Sequence, residues 1–425
     1  MSSKSKNLRA FVSSCETKTE VATPALVPKL RFPEFRKADG WKIGKIDDLV
    51  DTVTPPQKLP TSTYAGTGAF PIIDQSQNDI CGWTDDTDAL IQEDLPLIVF
   101  GDHTCILKLI DRPFAQGADG IKILKSRPKI GTSFLYQFLS YRPVVTEEYK
   151  RHYSILKEKL VAFPDFKTGE QQKIAECLSS VDELIAAQAR KVDALKTHKK
   201  GLMQQLFPRE GETQPRLRFP EFQNAGEWVS RTGTEITSKI TKGSSPNWQG
   251  FSYQTQGVLF VTSENVRDGF LDVSEPKFLP QEFYAKQSNS HLLCGDILIN
   301  IVGASIGRNC VYRLKEPAFT NQAVALFRVT KEHSFEFISY CYQQDRSQKA
   351  VSASQSDSAR PNLSLGDLRT MEFFIPSRPE QQRIADCLTS LDDLIAAQTQ
   401  KLEALKTHKK GLMQQLFPSP EEVVS

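Results

Sequence analysis

The side chains best suited to chemistry in this chain lie in short polar loops, and their types fit binding better than bond-making. In the second half they are Lys242-Gly243-Ser244-Ser245-Pro246-Asn247, Arg308-Asn309, Thr320-Asn321-Gln322 and Ser358-Ala359-Arg360-Pro361-Asn362. In the first half they are Gln57-Lys58, Gly101-Asp102-His103-Thr104 and Gln116-Gly117. Arg matches the two acceptors of guanine, and Asn or Gln the donor and acceptor of adenine. Lys, Ser and backbone amides suit phosphates. The candidates for nucleic-acid contact are therefore Gln57, Lys58, Asp102, His103, Thr104, Gln116, Lys242, Ser244, Ser245, Asn247, Arg308, Asn321, Gln322, Arg360 and Asn362. A polar loop is equally well a solvated one, and Asn321 and Gln322, which follow an apolar stretch, also fit bracing a turn.

Groups that would make or break bonds do not occur at the required spacing. There is no G-x-x-x-x-G-K-[ST] or G-x-G-x-x-G loop to cradle a nucleotide, and no metalloprotease helix or nucleophile elbow. The Asn-Pro-Pro-Tyr/Phe motif of an amino-methyltransferase is absent. Gly303-Ala304-Ser305-Ile306-Gly307 has the wrong spacing for a dinucleotide turn and reads as a bulge or tight loop. Glu147-Glu148-Tyr149-Lys150 is better explained as a charged helix face than as a nuclease motif. The eight cysteines form no CxxC pair, which argues against structural zinc and for reduced thiols in a cytoplasm. A net charge of +2 gives almost no global attraction for a polyanion, so nucleic-acid binding must rest on local patches. No run of 18 apolar residues predicts a membrane span.

The loops belong to two stretches, roughly 42–169 and 229–379, that do not resemble each other. Each reads as α+β with twisted antiparallel sheet. Strands are expected in 95–110 and 120–125, and in 257–266, 294–303 and 323–329. Helices are expected over 131–143, stopped by Pro143, and over 336–351.

The frames around these inserts are nearly the same. Residues 170–208 and 380–418 agree at 30 of 39 positions, and PKLRFPEFRKADGW (28–41) matches PRLRFPEFQNAGEW (215–228). Ile174, Leu178, Val181, Ile185, Gln188, Val192, Leu195, Lys199, Leu202 and Leu206 follow alternating steps of four and three, as do their copies from Ile384 to Leu416. That is a coiled-coil seam, ended by Pro208 and Pro418. Each rod is about 57 Å long at 1.5 Å per residue. The simplest partner for each stripe is the other copy, packed antiparallel after the chain returns through an insert. The fold class expected is α+β: two globular domains separated by two long antiparallel helices in an intramolecular coiled coil, with pseudo-two-fold symmetry. The seam residues Gln188 and Gln398, and Lys199 and Lys409, are polar and fit a role in fixing register.

Both helices end in THKKGLMQQLFP. Lys199, Lys200, Met203 and Phe207, with Lys409, Lys410, Met413 and Phe417, form an apolar tip beside a lysine pair. The tip fits either a docking surface offered twice to a partner or a helix end folded onto its own domain.

With these residues in view, the chain resembles specificity subunits of type I restriction–modification systems over nearly its whole length beyond the tail. The duplicated helices and LRFPEF segments carry the resemblance, with GDILINIVGASIGR (295–308), TNQAVAL (320–326) and FGDHTCILKLIDRPFAQGADGIKIL (100–124) adding to it. Residues 1–27, rich in Ser, Thr and Lys without an apolar core, read as a disordered tail. The resemblance implies target-recognition domains over 28–169 and 209–379, and spacer helices over 170–208 and 380–425, the latter with a tail. Each recognition domain would read one half of a bipartite, asymmetric site in double-stranded DNA. The helices would set the gap and bind two methyltransferase subunits, with restriction–translocase subunits joining them. The resemblance further implies a non-catalytic, cytoplasmic chain that binds no metal or cofactor itself, its partners using S-adenosylmethionine, ATP and Mg2+.

Overall fold

The structure, a computed structural model, describes residues 26–145, 151–353 and 362–418. The segment 1–25, the Glu147–Lys150 run and Arg360 lie outside the described residues. The chain divides into two units, one of residues 1–187 with 402–425 and one of residues 188–401. The division falls inside both long helices, Glu170–Leu206 and Arg378–Leu416. Each unit therefore owns one insert, the first part of the helix that follows it and the last part of the other helix.

The first unit contains β1 (Lys42–Lys45), β2 (Val50–Val53), β3 (Phe70–Ile73), β4 (Gly82–Thr84), β5 (Leu97–Gly101), β6 (Leu107–Ile110), β7 (Ala115–Gln116), β8 (Ile121–Ser126) and β9 (Leu160–Phe163). They form a four-stranded sheet β2-β8-β5-β6, a three-stranded sheet β4-β3-β7 and the pair β1-β9. The second unit contains β10 (Val229–Thr232), β11 (Thr237–Lys242), β12 (Val258–Val261), β13 (Phe278–Leu279), β14 (Ile297–Asn300), β15 (Asn309–Val311), β16 (Ala318–Thr320), β17 (Val324–Val329) and β18 (Glu372–Ile375). Its sheets run β11-β17-β14-β15, β13-β12-β16 and β10-β18, the same plan strand for strand. Two inserts without sequence likeness thus share one topology.

Period-two patterning explains why the central strands are apolar throughout. In β5, Ile98 and Phe100 enter the core around helix Thr132–Tyr141, while Leu97 and Val99 enter the core facing the second sheet. In β14, Ile297 and Ile299 point one way and Leu298 the other. A strand covered on both faces has no polar side to show.

Two expectations need correction. The sheets are not purely antiparallel, because β3 pairs with β7 and β12 with β16 in parallel. The short strand reaches its partner by a crossover through the neighbouring sheet, and a crossover is what parallel pairing requires. The single helix expected over 336–351 is two, Phe335–Tyr342 and Asp345–Ala353. Side chains compete with the backbone there: Ser347 Oγ donates to the Cys341 carbonyl at 3.0 Å and Gln348 Nε2 to the Tyr342 carbonyl at 2.8 Å. These bonds cap the first helix and turn the chain.

The duplicated frame is held by a duplicated buried ion pair. Arg31 of the first LRFPEF segment grips Glu170 at the start of the long helix, Nε to Oε1 at 2.8 Å and Nη2 to Oε2 at 2.7 Å. Its remaining donors reach the carbonyls of Ala38 and Asp39. In the second unit Arg218 does the same to Glu380 at 2.8 and 2.6 Å and donates to the carbonyls of Ala225 and Gly226. The next glutamine is also structural. Gln171 Oε1 accepts from the Gly131 N–H, just before helix Thr132–Tyr141, and Gln381 Oε1 accepts from the Ser334 N–H, just before helix Phe335–Tyr342.

The helix seams run antiparallel within each unit. In the second, Gln188 Nε2 donates to Gln398 Oε1 at 3.0 Å, and further along Lys199 Nζ bonds both oxygens of Asp392 at 2.6 and 2.8 Å. In the first, Lys409 Nζ bonds both oxygens of Asp182 at 2.6 and 2.7 Å. Lys199 and Lys409 are therefore seam ion-pair residues, not free partner contacts. Each aspartate also anchors its insert: Asp182 accepts from Gln137 Nε2 and Asp392 from the Tyr340 hydroxyl.

The helix tips fold inward as well. Phe417 and Met413 are buried, with Phe417 packed among Phe134, Phe138 and Tyr141 at ring separations of 5.4–5.9 Å. Phe207 is buried against Trp228 and Phe337, with Met203 half-buried beside it. Phe207, Met413 and Phe417 thus complete their own cores, with Met203 half-buried against one of them. Lys200 and Lys410 remain exposed.

Candidate nucleic-acid interface

In the second unit the loops singled out by sequence gather at one end of the sheets. The Gly243 N–H donates to the Asn321 carbonyl at 3.1 Å, which joins the Lys242–Asn247 loop to the Asn321–Gln322 turn. The approach is so close that a Cβ on Gly243 would lie 1.6 Å from the Thr320 carbonyl oxygen. The Ile301 N–H donates to the Ala323 carbonyl and the Leu363 N–H to the Ile301 carbonyl, so Asn362 sits beside Val302. Buried Asn300 ties this end together, its Nδ2 donating to the Ser263 carbonyl and Ser305 Oγ. Gly303 and Gly307, with φ of 85° and 88°, close the tight loop between β14 and β15.

The individual side chains differ in availability. Lys242, Asn247, Gln322 and Asn362 are exposed, and Ser245 is half-buried. Ser244 Oγ donates to Gln287 Oε1 at 2.6 Å. Asn321 Oδ1 accepts from the Ala323 N–H at 3.0 Å, so this residue braces its own turn. Arg308 is half-buried, with Nε 3.7 Å from Asp268. Asn309 is buried and spent on Ser339.

The corresponding end of the first unit is more self-satisfied. Asp102 is buried and accepts from the Tyr153 N–H at 2.8 Å, and Gln116 is buried within β7. Both are structural groups and are corrected from the expected contact set. Lys58 is exposed but bonds Asp119 at 2.6 Å, and that hydrogen bond holds the Asp119 carboxyl below its usual range. Thr104 Oγ1 donates to the Gln75 carbonyl at 2.8 Å. Gln57 is exposed and His103 half-buried. Gln75 stands at the end of β3, beside Gly101 and Gly120, and was not among the expected residues. Trp248 was also missed, although an aromatic inside a polar loop was a visible signal.

The side chains described at these ends supply hydrogen-bonding groups and charge. Among the described residues no group of three or more His, Cys, Asp or Glu could hold a metal ion. Burial pushes the Cys310 thiol up to about 12 and the Cys341 thiol well above its ordinary value, which keeps both from acting as thiolates. No helix of the described residues is long and apolar enough to cross a membrane.

Residues 253–407 match the family of the type I restriction modification DNA specificity domain. This match marks the second insert and most of the last helix as similar to that specificity domain. The specificity subunit of the type I restriction enzyme MjaVIII of Methanocaldococcus jannaschii is 25% identical over 256 residues, 58% of this chain and 59% of that protein. A putative MjaX specificity subunit of the same organism is 26% identical over 264 residues, 62% and 59% of the two chains. The match thus spans about three fifths of the length of these relatives. The fold is that of a type I restriction–modification S subunit from M. genitalium, with a TM-score of 0.64, 18% identity and coverage of 93% of this chain and 100% of that one. The match to a type I restriction–modification assembly chain has a TM-score of 0.50 at 14% identity, covering 89% and 98%. The specificity-domain match lies in the second unit and in helix Arg378–Leu416, and the shared strand order extends the same fold to the first insert.

Proposed function

We propose that this chain is the DNA-specificity subunit of a type I restriction–modification complex in the cytoplasm. Each insert reads one half of a bipartite, asymmetric site in double-stranded DNA, and the long helices set the gap. The observation that carries this reading is the pairing of two near-identical frames with two inserts of one topology but unlike loop ends. A fixed mount holding an exchangeable reader suits a task performed twice on different half-sites. The unlike loop ends argue that the half-sites differ. The chain is non-catalytic in this role. S-adenosylmethionine, ATP and Mg2+ are handled by two methyltransferase subunits and the restriction–translocase subunits that join them.

Among the candidate contacts, Lys242, Asn247, Gln322 and Asn362 have the best access, with Gln57, Lys58, His103, Thr104, Ser244, Ser245, Arg308 and Asn321 behind them. Docking of the methyltransferases is best supported at positions that are both exposed and identical between the repeats, such as Lys200 with Lys410 and Leu184 with Leu394. The decisive experiment exchanges residues 42–169 for another chain's insert and maps methylated adenines in cells carrying the partners. One half-site should change and the other persist; alteration of both, or of neither, refutes the reading. Separately, K200E with K410E should reduce co-purification of the methyltransferase without unfolding the chain.

A further inference from the structure

Trp248 is 93% exposed, while Trp41 and Trp228 are 5% and 4% exposed. It stands on the 3-10 turn Asn247–Gln249, in the connection between β11 and β12. That connection is braced rather than loose. Gln249 Nε2 donates to Ser244 Oγ at 3.0 Å, and Ser244 Oγ donates on to Gln287 Oε1 at 2.6 Å. Phe251 packs on buried Phe283 at 4.9 Å, with Lys286 Nζ 5.0 Å from the Phe251 ring. The Gly243–Asn321 backbone bond clamps the other side of the loop. The fold therefore fixes the base of the loop and leaves its largest apolar group in water.

The fold itself does not require an aromatic in that position to be exposed. In the first unit the corresponding 3-10 turn, Thr61–Thr63, leads into Tyr64, which tucks over Gly82 and Gly117 and accepts the Ala118 N–H on its hydroxyl at 2.9 Å. The surroundings of Trp248 also select a partner. Its exposed neighbours in sequence include Lys242, Asn247, Gln249 and Tyr253, which supply a cation, amides and a phenol-bearing ring rather than the aliphatic surround of a protein-docking hot spot. A cation and amides beside a flat aromatic match phosphates, base edges and the apolar groups exposed in a groove.

We propose that Trp248 is a DNA-contact residue, its indole entering the groove and packing against bases of the half-site read by the second insert, with Lys242 on the adjacent phosphates. Pre-bracing of the loop lowers the ordering cost on binding. This proposal rests on the reading of the inserts as DNA readers and adds which residue of the second one makes apolar contact.

The test uses the full complex with its methyltransferase and a labelled duplex carrying the methylated site. Affinity is compared for wild type, W248F and W248A, and indole quenching by acrylamide is followed as the wild-type minus W248F difference. W248A should weaken site-specific binding by about tenfold, roughly the cost of losing one base-pair contact in a duplex site. W248F should keep most of the affinity, and duplex should shield the Trp248 emission. If wild type binds its site but W248A binds equally well, this proposal falls and the DNA-reading function stands. Shielding by the methyltransferase alone, with none added by duplex, also overturns it. Absence of any site-dependent binding by wild type overturns both readings.

Discussion

The two inserts share every sheet order yet end their strands differently. In the first, Lys58 is engaged by Asp119, Asp102 and Gln116 are buried, and Tyr64 is tucked away. In the second, Lys242 is exposed with no ion pair among the described residues, and Trp248 projects into solvent. The frames show the opposite behaviour: Arg31–Glu170 and Arg218–Glu380 repeat the same four kinds of contact. Sequence is thus held constant where geometry must be constant and varies freely at the strand ends. Recognition and mounting are separable because, among the described residues, the Arg31–Glu170 and Arg218–Glu380 pairs bond none of the candidate contact residues.

The largest expected effect tests whether the mounts are equivalent. Arg31→Ala leaves Glu170, whose side chain is 1% exposed, charged and unpaired, and should cost about 3–5 kcal/mol. Arg218→Ala should cost a similar amount in its own unit, where Glu380 is equally buried. Hydrogen exchange resolved by unit is the measurement, since a single melting curve would mix the two. Protection lost in both units from one substitution would show that the units are not independent. Phe417→Ala and Phe207→Ala should each cost about 3–5 kcal/mol by emptying a buried aromatic site, read out the same way.

A smaller effect is expected at the seam. Lys199→Ala removes a pair whose partners are 16% and 39% exposed, so screening limits the loss to about 1 kcal/mol or less. Lys409→Ala should match it, its pair being 16% and 41% exposed. Urea titration distinguishes this from an effect on assembly. The finest comparison concerns binding: Lys242→Ala should lower the salt slope of DNA affinity by about 1, while Lys58→Ala should change it less because Asp119 already neutralises that lysine. Equal slopes for the two variants would erase the asymmetry between the readers.

The long helices, their seams and the α+β inserts were legible because they rest on periodicity. Steps of four and three over five heptads leave one apolar stripe, and continuous apolar runs such as 97–101 mark covered strands. The parallel pairings were not legible, since β7 and β16 have only two and three residues and no pattern to speak of. Asp102 and Gln116 were misplaced because burial of a polar side chain depends on distant partners such as Tyr153. Phe207 and Phe417 fit both a docking tip and a folded-back end in sequence, and only their aromatic neighbours in the inserts decide between them.

One backbone contact recurs in both units through different connections. The Leu217 N–H donates to the Gln205 carbonyl across a short connection within the chain, and the Leu30 N–H makes the same bond to Gln415, at the far end of the polypeptide. What is a loop in one unit is a meeting of the two extremities in the other. The bond therefore does not depend on how the two segments are linked, since they are close along the chain in one unit and remote in the other.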